Sequence, residues 1–320
     1  MTSGVGENLA VRLHTLGMPP STERLSIAAP KLSEARVKMI SAAINPLDRY
    51  IAAGKIADQG PLPRTLGVEG VGEFEGNLVI LSGCGLGMSR DGTWSKYVNV
   101  PKDCLVRVPV GIDPDQAAAM GVAGVTALRV VYDLGQVNDN DIVLVLGATG
   151  GVGSSVVSLA HARGAKVIAQ TRSSSKSTFL SSLGADPIVA NSPTELFNIA
   201  KELKPSVVID PLGGEWTGVG VQLLSPGGKI VIYGTSSNPK GEIPLQDLYR
   251  KGANILGYGG INEPPQRIRD GIVDALAELG AGRMKVHISK KYSLEDFTLA
   301  LEDLSHNTNP GKIILDIAKS

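Results

Sequence analysis

Apolar positions along the chain change their spacing near residue 140. From Asp141 onward, short apolar runs alternate with stretches of helical spacing. Residues 142–146, 166–170, 187–189, 207–209, 229–233 and 254–256 read as strands, and 153–163, 175–183, 193–203 and 214–224 as helices. Such regular alternation predicts an α/β fold built on a doubly wound parallel sheet. The first 115 residues or so read differently: strand-like pieces at 35–41, 78–81 and 105–108 are separated by Gly, Pro and Asp, the pattern of an irregular β-rich domain. Asp113 opens a helical pattern through Ala117, Met120, Val125, Leu128 and Val130 that ends near Gly135. After Gly260 the spacing predicts helices over about 265–279 and 292–304. A closing strand at 312–317 is then able to return to the first domain.

The joint between the first predicted strand and helix carries the clearest chemistry. Ile142 to Leu146 are apolar, Gly147-Ala-Thr-Gly-Gly-Val-Gly153 follows at once, and helical spacing resumes at Val156, Val157, Leu159 and Ala160. Strand, glycine turn and helix bring unpaired backbone N–H groups and a helix N-terminus to one point, which suits a diphosphate and hence a dinucleotide. The turn reads A-x-G-x-x-G, with Ala148 in place of the usual first glycine. Ala148, Thr149, Gly150, Gly151, Val152 and Gly153 are the candidate phosphate-binding residues. Gly150 lets the backbone approach the ligand and Gly153 lets the helix pack close to the strand. A tight turn without ligand is the alternative.

The residues after the second strand bear on which dinucleotide. Units that bind NAD place Asp or Glu at the end of this strand to accept from the ribose hydroxyls. Here the run is Gln170-Thr-Arg-Ser-Ser-Ser-Lys176, with two cations, several hydroxyls and no carboxylate. Thr171, Arg172, Ser173 and Lys176 therefore predict attraction for a 2′-phosphate and NADPH as the cofactor. A solvated serine loop capping the next helix would use the same residues.

Composition narrows the class. The chain has 320 residues, 42% of them hydrophobic and 19% charged, which suits a globular enzyme of two domains. Lys plus Arg equals Asp plus Glu at 31 each, so no net field draws nucleic acid. No apolar run is long enough for a membrane span, and the N-terminus lacks a basic stretch followed by an apolar one. The expectation is a cytoplasmic protein acting on a small molecule. Cys84 and Cys104 lack CxxC spacing and read as two buried thiols, a disulfide being disfavoured in a reducing compartment. His14, His161, His287 and His306 are scattered and read as surface or packing residues.

Several segments resemble the medium-chain dehydrogenase/reductase superfamily, in its zinc-free quinone oxidoreductase branch. Asn45-Pro-Leu-Asp48 is similar to the N-P-x-D motif of that branch. Leu66-Gly-Val-Glu-Gly-Val-Gly72 is similar to the superfamily's G-H-E-x-x-G-x-G, and Gly92-Thr-Trp-Ser-Lys-Tyr-Val98 to its G-x-W/Y-A-E-Y-V. The resemblance implies a GroES-like catalytic domain over residues 1–116 and 257–320 and a Rossmann domain over 117–256. It implies no metal, since Val68 stands where zinc enzymes have a histidine ligand and the cysteine ligand is missing. It implies hydride transfer from NADPH to a quinone or to the activated double bond of an α,β-unsaturated carbonyl. Asn45, Asp48 and Tyr50 are the candidate catalytic residues, and loop-structuring hydrogen bonds are the alternative role for Asn45 and Asp48. Thr126, Gly234 and Thr235 correspond to positions that meet the cofactor, and the edge strand around Gly252–Gly260 to one that pairs across a homodimer. Ser82 to Asp91 reads as a flexible glycine loop with a faint resemblance to acryloyl-CoA reductases. An enoyl thioester (acyl-CoA) reductase is the enzymatic alternative, although the tyrosine donor of that group corresponds to Ile56 here. A non-catalytic NADPH-binding sensor is the alternative of a different class.

Overall fold

The computed structural model describes residues 7–306 and 309–320. Met1–Val122, Glu263–Gly280 and His287–Ser320 make one compact unit, and Ala123–Asn262 with Ala281–Val286 make a second. The divisions fall at 122/123 and 262/263 instead of the expected 116/117 and 256/257. Each division has a hydrogen bond beside it. The Val122 N–H donates to the Glu69 carboxylate at 2.8 Å, within the first unit. The Tyr258 N–H donates to the Ile232 carbonyl at 2.8 Å, within the second.

Strands β1 (Asn8–Leu13), β2 (Ser21–Leu25) and β3 (Glu34–Ala43) lead into helix α1 (Pro46–Ala52). Then come β4 (Arg64–Thr65), β5 (Glu69–Phe74), β6 (Asn77–Ser82), β7 (Tyr97–Pro101), β8 (Leu105–Arg107) and α2 (Pro114–Ala117). A π-helical stretch, Met120–Gly124, crosses into the second unit and α3 (Val125–Leu128). The second unit runs β9 (Ile142–Val145), α4 (Gly151–Ala162), β10 (Lys166–Thr171), α5 (Ser177–Ser182), β11 (Ala185–Val189), α6 (Pro193–Ala200), β12 (Val207–Asp210), α7 (Glu215–Leu223), β13 (Lys229–Ile232), α8 (Leu245–Lys251) and β14 (Asn254–Gly257). The chain returns through α9 (Pro265–Gly280), β15 (Ile288–Ser293), α10 (Phe297–His306) and β16 (Lys312–Asp316).

In the first unit, β15–β16–β3–β5–β6–β8 form one sheet, with β7 also on β3, and β2–β1–β4 form a second. Strand β3 alternates Ala35, Val37 and Met39 inward, and these pack with Leu9, Val11, Trp94 and Leu315 in one core. The hairpin of β5 and β6 turns in two residues, Glu75 (φ 48) and Gly76 (φ 72), the left-handed pair that matches strand twist. The closing strand β16 returns as expected, pairing antiparallel with β3. The helix expected over 292–304 instead begins at Phe297, because Lys290, Lys291 and Tyr292 continue strand β15 beside β16. The Asp296 N–H donates to Ser293 Oγ at 3.2 Å, which marks the turn between them.

The two cysteines are a correction to the sequence reading: Cys84 and Cys104 form a disulfide. Pairing of β6 with β8 sets Leu81 opposite Leu105, so the residues just beyond that pair meet. Their Cα atoms lie 6.2 Å apart, within bridging range. Only Cys104 is buried; Cys84 is partly exposed. The glycine loop that carries Cys84 is also laced down. Arg64, itself buried, donates through Nε to the Gly87 carbonyl at 3.1 Å and through Nη1 to the Gly60 carbonyl at 2.9 Å. The Gly60 N–H donates to the Met88 carbonyl at 3.0 Å.

The second unit has a six-stranded sheet in the order β11–β10–β9–β12–β13–β14, every neighbouring pair parallel. The order reverses between β9 and β12, so the carboxyl ends of those strands form the switch point where open parallel sheets take ligands. Among the described residues no helix is long and apolar enough to cross a membrane.

Candidate functional site

The glycine turn stands at that switch point, leaving β9 and entering α4. Helix α4 has 12 residues, and its cap Gly150 (φ −72, ψ 170) supplies no side-chain acceptor. The N–H groups of Gly151, Val152 and Gly153, the first three of the helix, therefore have no intrahelical acceptor. The helix dipole adds partial positive charge at the same point.

The glycines of the turn differ in what requires them. A Cβ on Gly153 would stand 2.6 Å from the Gly147 carbonyl oxygen and 2.9 Å from Ala148 Cα, so the close approach of the helix start to the backbone of the turn forbids a side chain. A Cβ on Gly150 would meet only the Gly147 oxygen, at the ordinary distance of 3.5 Å, and the backbone there suits any residue. Nothing within the chain asks for glycine at 150. The open space over its Cα fits a group brought from outside, as the diphosphate of a dinucleotide would be. Ala148 is fully buried and Thr149 nearly so, below the turn's surface.

At the end of β10, Thr171 is buried and its hydroxyl is engaged by the Ser173 backbone. Arg172 is exposed and Ser173 and Lys176 are partly so. Burial, with the Arg172 charge nearby, holds the Lys176 ammonium below its usual pKa, so the two cations share one neighbourhood. Gly234 and Thr235 follow β13 and press on the loop after β12: a Cβ on Gly213 would meet Thr235 Cα at 3.1 Å. That loop is pinned by Asp210, which sequence reasoning missed. Asp210 is fully buried and accepts from the Leu212 N–H at 2.7 Å, the Gly213 N–H at 3.1 Å and Thr217 Oγ1 at 2.5 Å. Burial raises its carboxyl pKa, and burial, with the Asp210 charge adding to it, raises that of the Tyr233 phenol. Thr126 is buried within α3.

In the first unit, Asn45 and Asp48 are engaged on every side. Asn45 Nδ2 donates to Glu69 Oε1 at 2.8 Å, and Asn45 Oδ1 accepts from Lys312 Nζ at 2.6 Å. Lys312 also reaches the Ile44 carbonyl at 3.2 Å and Glu69 Oε1 at 3.3 Å, so a buried ammonium links three groups. The Asp48 oxygens accept from the Asn45 N–H at 2.8 Å and the Val68 N–H at 3.1 Å, fixing the start of α1 against the segment before β5. Burial pushes the Asp48 carboxyl up to about 7, against the pull of those N–H donors, with the Glu69 charge adding to the rise. Tyr50 alone of the three candidates keeps part of its surface in solvent. Lys312 was missed from sequence, being 267 residues from Asn45. Among the described residues no group of three or more His, Cys, Asp or Glu is placed to hold a metal.

A family model described as zinc-binding dehydrogenase matches residues 151–278. YhfP of Bacillus subtilis is 30% identical over 284 residues, covering 83% of this chain and 84% of its own. The quinone oxidoreductase of Sus scrofa is 27% identical over 337 residues, covering 98% and 99%. A solved structure of an NAD-dependent alcohol dehydrogenase superposes with a TM-score of 0.87 at 26% identity, covering 97% of this chain and 99% of that one. With the GroES-like and Rossmann units and the glycine turn above, the chain belongs to the medium-chain dehydrogenase/reductase superfamily, in its quinone oxidoreductase branch, and is an NAD(P)-dependent oxidoreductase.

Proposed function

We propose that this protein is an NADPH-dependent, zinc-independent reductase acting on a quinone or on the activated double bond of an α,β-unsaturated carbonyl. The observation that carries the cofactor assignment is the loop after β10, where exposed Arg172 lies near Lys176 and no carboxylate competes for the ribose. The N–H groups of Gly151 to Gly153 would hold the diphosphate, and Arg172 and Lys176, with the Ser173 hydroxyl, the 2′-phosphate. When bound, NADPH supplies a hydride for the electron-poor carbon of the substrate.

Zinc independence rests on the donor set. Val68 offers no ligand atom, and the Glu69 carboxylate is already matched by the Lys312 ammonium, whose charge would repel a divalent ion. Asn45 and Asp48 build the loop, while Tyr50 is left as its candidate for contact with substrate. The edge strand β14, with Ile255 exposed, is the proposed surface for a homodimer.

The test follows NADPH and NADH oxidation in parallel against quinones, enones and acyl-CoAs. Turnover of quinone or enone with NADPH, undiminished by a chelator, is the expected result. Turnover confined to acyl-CoA would replace the substrate class, and tight NADPH binding without any turnover would favour a sensor.

A further inference from the structure

A glutamine is an unusual residue in a parallel strand buried on both faces, where Val and Ile are the norm. Gln170 sits in β10 between Ala169 and Thr171, all three buried, and itself only 1% exposed. A buried amide is tolerated when its donors and acceptors are met. Gln170 Oε1 accepts from the Gly147 N–H at 2.9 Å, and Nε2 donates to the Ala190 carbonyl at 2.7 Å. Its backbone carbonyl accepts from the Ala148 N–H at 3.1 Å. One residue thus receives the first two N–H groups of the glycine turn and ties them to the end of β11.

Gly147 is the pivot of that turn. Its backbone is left-handed (φ 55), its carbonyl accepts from the Gly150 N–H at 3.2 Å, and the same oxygen is the first atom that a Cβ on Gly150 or Gly153 would meet. The bond from Gln170 fixes the nitrogen side of Gly147, and Gly147 fixes Gly150. We infer that Gln170 is a positioning residue for the cofactor: it holds the turn so that the N–H groups of Gly151 to Gly153 stay aimed at the diphosphate. This rests on the reading of the turn as a dinucleotide site. Gln170 touches no part of the ligand itself and takes no direct part in choosing between NAD and NADP, since its side chain lies under the turn.

The experiment titrates the whole protein with NADPH and with NADH, wild type beside Gln170→Leu, and records melting temperature on the same samples. Leucine fills similar space and removes both side-chain hydrogen bonds. The expected result is a folded variant whose Kd for the better dinucleotide rises about tenfold, the loss corresponding to one misplaced hydrogen-bonding group. At saturating cofactor its kcat should stay within about twofold of wild type, because the loss lies in binding. A Kd within about twofold of wild type, whatever the melting temperature, would overturn the positioning role and leave Gln170 as core. Should the leucine variant fail to fold, Gln170→Met gives the same two readouts with a more adaptable side chain. Wild type binding neither dinucleotide would instead remove the reading of the turn, a result separate from the comparison of variants.

Discussion

Lys312 Nζ donates to Asn45 Oδ1 at 2.6 Å, joining the last strand of the chain to the loop before α1. The same ammonium lies 3.3 Å from Glu69 Oε1, and both ionic side chains are buried. Removing one partner of such a pair leaves an uncompensated charge in the core, at a cost of about 3–5 kcal/mol, while removing both is far milder. Lys312→Met should therefore lower unfolding free energy strongly, and adding Glu69→Gln should restore much of it. Urea unfolding of the two single variants and the double variant checks this. Additive losses in the double variant would refute the coupling.

Asp48 gives the fold a pH dependence of definite sign. Its carboxyl is raised to about 7 by burial, far above the ordinary value of 3.8. The folded state therefore favours the protonated form. The contribution is complete below about pH 4 and is lost as pH rises through about 7. Between pH 5 and pH 8 the wild type should lose stability with rising pH, at up to about 1.4 kcal/mol per unit from this group. Asp48→Asn satisfies only one of the two N–H donors, so it should be less stable throughout but flatter across that window. Parallel urea-derived profiles for the two proteins would count against it.

Gly150 and Gly153 separate binding from folding. The space at Gly150 admits a methyl group, so Gly150→Ala should melt with the wild type and lose dinucleotide affinity by about tenfold or more, the methyl standing where the phosphate approaches. At Gly153 the same methyl meets backbone at 2.6 Å, so Gly153→Ala should melt well below the wild type. Calorimetry beside cofactor titration reads both. Equal melting temperatures for the two variants would contradict the distinction.

Much of the second unit was legible because its signals are local. The run Ile142–Val145, the glycine turn and the spacing of Val156, Val157, Leu159 and Ala160 all fall within about 20 residues, and the structure keeps them as β9, turn and α4. The first unit is written in long-range pairs that periodicity does not record. Lys312 finds Asn45 across the whole chain, and its sequence neighbours read only as a strand. Cys84 and Cys104 meet because β6 and β8 pair, a register that a spacing of 20 does not encode. Lys290 and Lys291 hid β15, since two charged residues in an edge strand look like the polar face of a helix. The candidate site followed the same rule: the phosphate turn was visible, while Gln170, which braces it, and Asp210, which pins the loop after β12, emerged from hydrogen bonds alone.

The disulfide closes a loop of 20 residues, and constraining the unfolded chain over that length is worth about 3 kcal/mol. Cys84→Ser with Cys104→Ser should lower the melting temperature, and dithiothreitol should do the same to the wild type while leaving the double variant unmoved. A wild type unaffected by reductant, with two titratable thiols in the folded protein, would show that the bond is not closed in solution.

Arg172 decides the cofactor preference in this reading. A guanidinium on a phosphate is a charge-assisted pair, typically worth about 1.5–3 kcal/mol, or roughly ten- to a hundredfold in affinity. Arg172 is exposed, so its replacement should leave the fold intact, and the exposed position favours the lower end of that range through solvent screening. Arg172→Glu replaces attraction with repulsion toward a 2′-phosphate and offers a carboxylate to an unphosphorylated ribose. NADPH should then bind at least about tenfold more weakly, while NADH affinity should hold or improve. Raising the salt concentration should narrow the wild-type preference for NADPH and, by screening the new repulsion, ease NADPH binding to the variant. Loss of both dinucleotides to the same extent would assign Arg172 to the architecture of the loop and return the choice between NADH and NADPH to other residues.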